Sequence, residues 1–265
     1  MPRPWEIYAI RYATHPRMAR ENFIGGDPHE NATMPLDYYI WALRSGDRVY
    51  VIDTGFGETQ AKLRNRTLLK PSADGLRALG IEPAEVRNVL MTHLHYDHCG
   101  NYDLLPNARY HVQEREMQYC TGRLITHDYF RHAFDEEGVV SMVRKLYGGR
   151  VSFLNGDEEI EDGLSVHLIG GHSQGLQCVK VQTRRGPVVL ASDAAHLYEH
   201  LNRNLAFTVT CSIADTLDGY AKLRRLARCA NDEHDGHIIP GHDPEVLRRY
   251  PAAAPGLEDW IARLD

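Results

Sequence analysis

The sequence predicts an α/β fold. Apolar segments of strand length come first, and helical and strand segments then follow one another to the end of the chain. Four apolar runs each finish on a side chain that can ligate a metal: "VLMT" on His93, "VHLIGG" on His172, "VVLAS" on Asp193 and "HIIPG" on His242. Strands that deliver side chains to loops at one sheet edge are how rigid folds build precise sites.

The elements follow in order. "DYYIWAL" (37–43) and "RVYVIDTG" (48–55), joined by Ser45-Gly46-Asp47, read as a hairpin. Ser72 is placed to cap a short helix that stops at Gly80. "EPAEV" (82–86) opens a helical turn, and "RNVLMT" (87–92) is a buried strand leading into a histidine cluster. "ARYHV" (108–112) is a strand, while "QEREMQY" (113–119) and "GVVSMVRKLY" (138–147) are helical. "LSVHLIG" (164–170) is a strand, and "LQCVKVQT" (176–183) and "PVVLASD" (187–193) form a second hairpin around "RRG". In "TLDGYAKLRRLARCA" (216–230), Leu217, Tyr220, Leu223, Leu226 and Ala227 recur at helical spacing. "GHIIPGH" (236–242) is a short strand, and the tail is expected to be helical. No repeat or linker divides the chain, so residues 1–265 are read as a single domain.

Composition excludes several classes. The net charge of −6 disfavours nucleic acid and anionic membrane as partners. Five scattered cysteines read as reduced thiols, and "MPRPWEIYAI" lacks a signal-peptide pattern, so the expected location is the cytoplasm. No apolar run reaches membrane-spanning length. The anomaly is fifteen histidines.

Three of them fall in "THLHYDHCGN" (92–101), as His93, His95 and His98 around Asp97. The spacing is not that of a helical metal motif, because Leu94 and Tyr96 alternate with the ligands. In an extended loop His93 and His95 point the same way, and Asp97 and His98 face a second point. Imidazole and carboxylate without thiolate suit zinc, or another divalent ion, in a catalytic site. With His172, Asp193 and His242 the set reaches seven ligands, enough for two ions sharing one carboxylate.

The order His-x-His-x-Asp-His, His, Asp, His resembles that of the metallo-β-lactamase superfamily. The resemblance implies an αβ/βα sandwich of two mixed sheets flanked by helices. It implies that His93, His95 and His172 hold one metal, that Asp97, His98 and His242 hold the other, and that Asp193 bridges them. Asp53 in "VIDTG" matches the family's aspartate that orients the metal loop without ligating. The family's iron oxygen-reducing branch has an acid where this chain has His95, and its thioesterase branch has a longer C-terminal helical domain. "DYYIWALRSGDRVYVIDTGF", "HLHYDH", "SDAA" and "PGHDP" are most similar to the N-acyl-homoserine-lactonase-like (quorum-quenching lactonase) group, which opens lactone rings.

That resemblance implies a metal-dependent hydrolase of a lactone or similar cyclic ester, acting with two Zn²⁺ per chain through a metal-bridging hydroxide. Asp97 would double as a proton shuttle. The group usually carries a tyrosine three residues after the bridging aspartate; here His196 stands there, with Tyr198 close but out of register. His196 is therefore the candidate contact to the substrate carbonyl. Pocket walls are expected from the loop 21–35, through Phe23 and Ile24 beside Gly25, Gly26 and Pro28, and from 121–134, where Phe130 belongs to either a lid or the core. His111, His167, His200, His234 and His237 read as structural or surface histidines. Competing readings are a hydrolase of a cyclic amide, thioester or aryl ester, and a non-catalytic ligand-binding protein with a metal site. The expected partner is a small molecule, with a homodimer left open.

Overall fold

The architecture follows from strands that are apolar on both faces. In the computed structural model, which describes residues 3–26, 29–228 and 237–265, β1 (Glu6–His15), β2 (Leu36–Ser45), β3 (Arg48–Ile52), β4 (Thr67–Leu68), β5 (Asn88–Leu90), β6 (Arg109–Gln113) and β7 (Val151–Leu154) build a first sheet. A second sheet comprises β8 (Glu158–Glu161), β9 (Leu164–Leu168), β10 (Gln177–Thr183), β11 (Gly186–Ser192) and β12 (Ile238–Pro240). The last strand, β13 (Ile261–Arg263), returns to the first sheet, whose order is β13-β1-β2-β3-β5-β6-β7, with β4 pairing to β1. The second runs β12-β11-β10-β9-β8. Both are mixed: β3, β5, β6 and β7 are parallel, as are β11 and β12, and the other pairs are antiparallel.

Side chains alternate across each strand, so a strand buried on both faces feeds two cores. From β2, Tyr39, Trp41 and Leu43 point to the second sheet, where they meet Val179, Val181, Val188 and Leu190. Tyr38, Ile40 and Ala42 point the other way. There they meet Leu76 of α2 (Ser72–Ala78), Met117 of α4 (Glu114–Cys120) and Met142 of α6 (Glu136–Tyr147). Between these in the chain lie α1 (Glu58–Leu63), α3 (Tyr96–Cys99) and α5 (Asp128–Arg131). On the far side of the second sheet, Val189 and Ala191 pack on Tyr220, Leu223 and Ala227 of α8 (Ile213–Ala227). The layers run helix, sheet, sheet, helix: the αβ/βα sandwich. The short α7 (Tyr198–Arg203) and α9 (Glu245–Arg249) complete it.

Three expectations are corrected. β1 was not anticipated, although it is one of the two longest strands. The tail is helical only in α9: Pro251, Pro255 and Gly256 stop further helix, and β13 covers the free edge of β1 through the pair Tyr8↔Arg263. Ser72 is the first helical residue and not the cap, since Pro71 precedes it in extended conformation. The helix does close at Gly80 (φ +70°), where the amide of Ile81 donates to the carbonyl of Leu76. Pro28, His234, the end of the 216–230 helix and Gly236 fall outside the described residues. Among the described residues no helix is long and apolar enough to cross a membrane.

Leu190 is fully buried between the sheets. Leu190→Ala should cost about 2–5 kcal/mol in urea unfolding, whereas Tyr147→Ala, at a side chain 89% exposed, should stay within about 0.5 kcal/mol.

Candidate metal centre

The centre is assembled by loops that are tied to one another. Beyond β5 the chain passes Thr92 into His93, and α3 is a single turn that carries Asp97 and His98. Asp53, beyond the end of β3, adopts φ +62°, a left-handed backbone uncommon outside glycine and asparagine. This turns its carboxylate under the loop, where it accepts the Thr92 amide, the Thr92 hydroxyl and His98 Nδ1–H, each at 2.7 Å. Tyr12 Oη–H donates to the carbonyl of Asp97 at 2.7 Å. Buried Glu116 clamps this loop to that of His172: it accepts the Leu94 amide (2.9 Å), Ser173 Oγ–H (2.7 Å) and the Gly175 amide (3.0 Å). The third loop follows Ser192 at φ +47°, whose hydroxyl donates to Thr92 Oγ1 at 2.9 Å. At Gly241 a Cβ would lie 2.7 Å from Asp193 Oδ1, so only glycine lets the His242 loop approach this closely.

These ties orient the ligands. His98 Nδ1 faces Asp53, His172 Nδ1 faces the carbonyl of Val209 (2.6 Å), and His242 Nδ1 faces the carbonyl of Asp37 (2.9 Å). Each outer nitrogen thus holds a proton and donates, which in the neutral ring leaves the Nε2 lone pair pointing inward. The lone pairs converge: His172 Nε2 lies 2.8 Å from His95 Nδ1 and 3.2 Å from His93 Nε2. Asp193 sits between two groups. Its Oδ1 is 3.0 Å from His242 Nε2 and 3.2 Å from His98 Nε2, and its Oδ2 is 3.3 Å from His172 Nε2. Asp97 Oδ2 is 3.6 Å from Nε2 of both His98 and His242.

Burial keeps His93 and His95 well below the ordinary histidine range, so they are neutral. Burial alone would raise the Asp193 carboxyl, but His242, His98, His196 and His172 around it hold it well below the usual range. His98 Nε2, Asp193 Oδ1 and His196 Nε2 are buried with no hydrogen-bond partner. Buried acceptors turned toward one another and left unpaired are costly. Such a donor set fits divalent cations: His93, His95 and His172 form one group, Asp97, His98, Asp193 and His242 another, and His172, Asp193 and His196 a third that overlaps both.

A cavity of about 90 Å³ opens onto these ligands. A larger one, about 550 Å³ beside α1 and α3, contains none of the seven and is not where the chemistry sits. His196 reaches the smaller cavity, with Nε2 3.0 Å from Asp193 Oδ2 and its ring stacked on Phe207 at 3.8 Å. Phe130 borders a narrow channel next to His95 and His172. From its segment, His132 and Ala133 line the cavity, while Phe134 is buried against His95. Phe23 and Ile24 do not line it; Phe23 packs on His200 at 4.9 Å. Tyr198 is held in the core between the sheets with Arg249 over its ring at 3.8 Å. Unforeseen wall residues are Arg17, Arg64, Arg66, Tyr38 and Tyr96. They come from separate segments with no shared spacing, so only the fold brings them together.

Asp53 touches the candidate ligand His98 and belongs to none of the donor groups. Asp53→Asn should weaken zinc binding about 10- to 100-fold with the melting profile of the metal-free protein little changed, as read by competition with a chromophoric chelator.

The description of the metallo-beta-lactamase superfamily matches residues 34–253. The N-acyl homoserine lactonase AttM of Azorhizobium caulinodans is 33% identical over 199 residues, 69% of this chain and 68% of the relative. N-acyl homoserine lactonase AiiA of Bacillus thuringiensis subsp. kurstaki is 26% identical over 225 residues, 79% of this chain and 82% of the relative. A solved N-acyl homoserine lactone hydrolase with N-hexanoyl-L-homoserine at its catalytic metal centre superposes with TM-score 0.75, at 20% identity over 94% of this chain and 97% of that one. The structure of AidC, a dizinc quorum-quenching lactonase, gives TM-score 0.69 at 13% identity, covering 91% and 88%. Structural likeness at these identities speaks for the fold; the match along most of the sequence shows the family, and this chain belongs to the metallo-beta-lactamase superfamily.

Proposed function

We propose that the protein is a dinuclear zinc hydrolase that opens a lactone or similar cyclic ester. The observation that carries this reading is the convergence of two ligand groups on either side of Asp193, inside a cavity that small molecules can enter. Relatives named N-acyl homoserine lactonases, and a dizinc neighbour, support the substrate class and the metal count.

In this reading His93, His95 and His172 hold one ion, Asp97, His98 and His242 the other, and Asp193 both. Bound there, the ions would supply Lewis acidity toward a carbonyl oxygen and a water of lowered pKa. The residues supply position and proton transfer. Opening a lactone adds water across the acyl C–O bond; the ring oxygen leaves and takes a proton, giving a hydroxy acid. Asp97, against the ligands and facing the cavity, carries that proton to the ring oxygen. His196, braced by Phe207, donates a hydrogen bond to the carbonyl oxygen, where the lactonase-like group has a tyrosine. Phe130, at the side channel, contacts the substrate's apolar part. Phe23, Ile24 and Tyr198, off the cavity wall, support the fold.

Zinc-loaded protein should open γ-lactones, followed by acid release, faster than it cleaves matched lactams or thioesters. Turnover of a thioester or lactam with every lactone left intact would overturn the lactone reading. His196→Ala should keep its zinc and lose roughly 10²-fold in kcat, and His196→Tyr should recover part of the loss. An unchanged kcat in His196→Ala would remove His196 from the chemistry.

A further inference from the structure

The cavity above the ligands is walled by three arginines from separate places: Arg17 beyond β1, and Arg64 and Arg66 beyond α1. The chain as a whole carries a net charge of −6, so this local excess of cations is not a matter of composition. Several arginines elsewhere pair with acids: Arg11 with Asp37 at 3.0 Å, Arg48 with Glu161 at 2.8 Å, and Arg263 with Asp265 at 2.9 Å. The cavity arginines do not. No carboxylate of the described residues lies within 4.0 Å of any of the three guanidinium groups. The two carboxylates inside the cavity, Asp97 and Asp193, face the metal ligands instead.

The three differ in what they have left to give. Arg64 is a strut: it donates to Gln60 Oε1 and to the carbonyls of His132 and Phe134, and lies 3.9 Å over the Tyr96 ring. Arg66 donates through Nε to Tyr96 Oη (3.0 Å) and through Nη1 to the carbonyl of Arg64 and to His15 Nε2, leaving Nη2. Arg17 donates through Nη2 to the carbonyl of Glu21, and its Nε is buried without a partner. Half-buried like charges with open donors and no carboxylate in direct contact are less favourable alone than around an anion. A carboxylate matches the planar guanidinium fork with two parallel hydrogen bonds. Size adds a second limit. At about 90 Å³ the cavity is far below the roughly 300–1,000 Å³ typical of sites for larger ligands, so the space over the metal ligands suits a small ring.

We propose that the substrate is a compact cyclic ester carrying a carboxylate, which Arg17 and Arg66 hold at the cavity mouth while the ester faces the metal ligands. The proposal rests on the lactone reading and narrows it.

The test uses zinc-loaded protein and two lactones that differ only in charge, γ-butyrolactone-γ-carboxylate and its carboxamide. The carboxylate should have a kcat/KM about 10-fold or more above the carboxamide, the scale of one charge-assisted hydrogen bond. The advantage should shrink with added salt. Arg17→Met and Arg66→Met should each bring the ratio toward one, mainly through KM, with zinc content retained. Arg17→Lys should keep part of it. Equal kcat/KM for the two lactones in the wild type, or a ratio that survives both Met substitutions, would overturn the proposal. If neither lactone is opened, the lactone reading fails separately, and equilibrium binding decides. Calorimetric titration should then show α-hydroxyglutarate binding about 10-fold tighter than γ-hydroxybutyrate, with the difference lost in the Arg17→Met, Arg66→Met double variant. Equal affinities in the wild type would overturn the carboxylate site.

Discussion

Everything at this centre depends on one constraint: buried lone pairs that face one another need a positive charge between them. His93, His95 and His172 bring three ring nitrogens within 3.2 Å contacts, and Asp193 lies about as close to the nitrogens of His98 and His242. Taken from water and left unpaired, such groups would each cost on the order of 1–3 kcal/mol. A divalent cation reverses the sign of that interaction. The outer hydrogen bonds prepare it, because in the neutral ring the one proton of His98, His172 and His242 is held outward on Nδ1, which leaves the inward nitrogen free to ligate.

The fold exists in the service of those outer contacts. Asp53 and Ser192 take left-handed backbone conformations at the ends of strands from different sheets, and both reach Thr92. Glu116 joins the first histidine loop to the His172 loop, and Gly241 lets the last loop close on Asp193. The packed sheets hold these loops in register, since Trp41, Val181 and Leu190 leave no freedom between the layers. The cavity wall is built differently, with Arg64 as a strut against two carbonyls and Arg17 and Arg66 lining the same space.

What the sequence revealed follows from how local each signal is. The ligands His93, His95, Asp97 and His98 stand within six residues, and His172, Asp193 and His242 each end an apolar run, so period and position alone bring them forward. The four layers were legible only through the resemblance that the ligand order carries; in the structure "DYYIWAL" and "PVVLASD" are buried on both faces, as strands between two layers are. β1 was not legible, because Arg11 and five aromatic or polar residues interrupt its pattern and its pairing with β13 spans the whole chain. The cavity wall was hidden for a deeper reason. Phe23 has the chemistry of a pocket residue but turns to His200, and Tyr198 has that of a carbonyl contact but is held among Asp243, Arg249 and the inter-sheet core. Arg17, Arg64 and Arg66 share no spacing, and only tertiary contact gives them a common direction.

In the proposed dinuclear reading the inward-facing donor set holds two cations with Asp193 between them. Anomalous diffraction above and below the zinc edge, on crystals grown with zinc, tests it most directly. The account predicts two peaks per chain, about 3.5–4 Å apart, one against His93, His95 and His172 and the other against Asp97, His98 and His242, with an Asp193 oxygen at each. A single peak at full occupancy, or no peak with the inward nitrogens bonded to one another through protons, would contradict it.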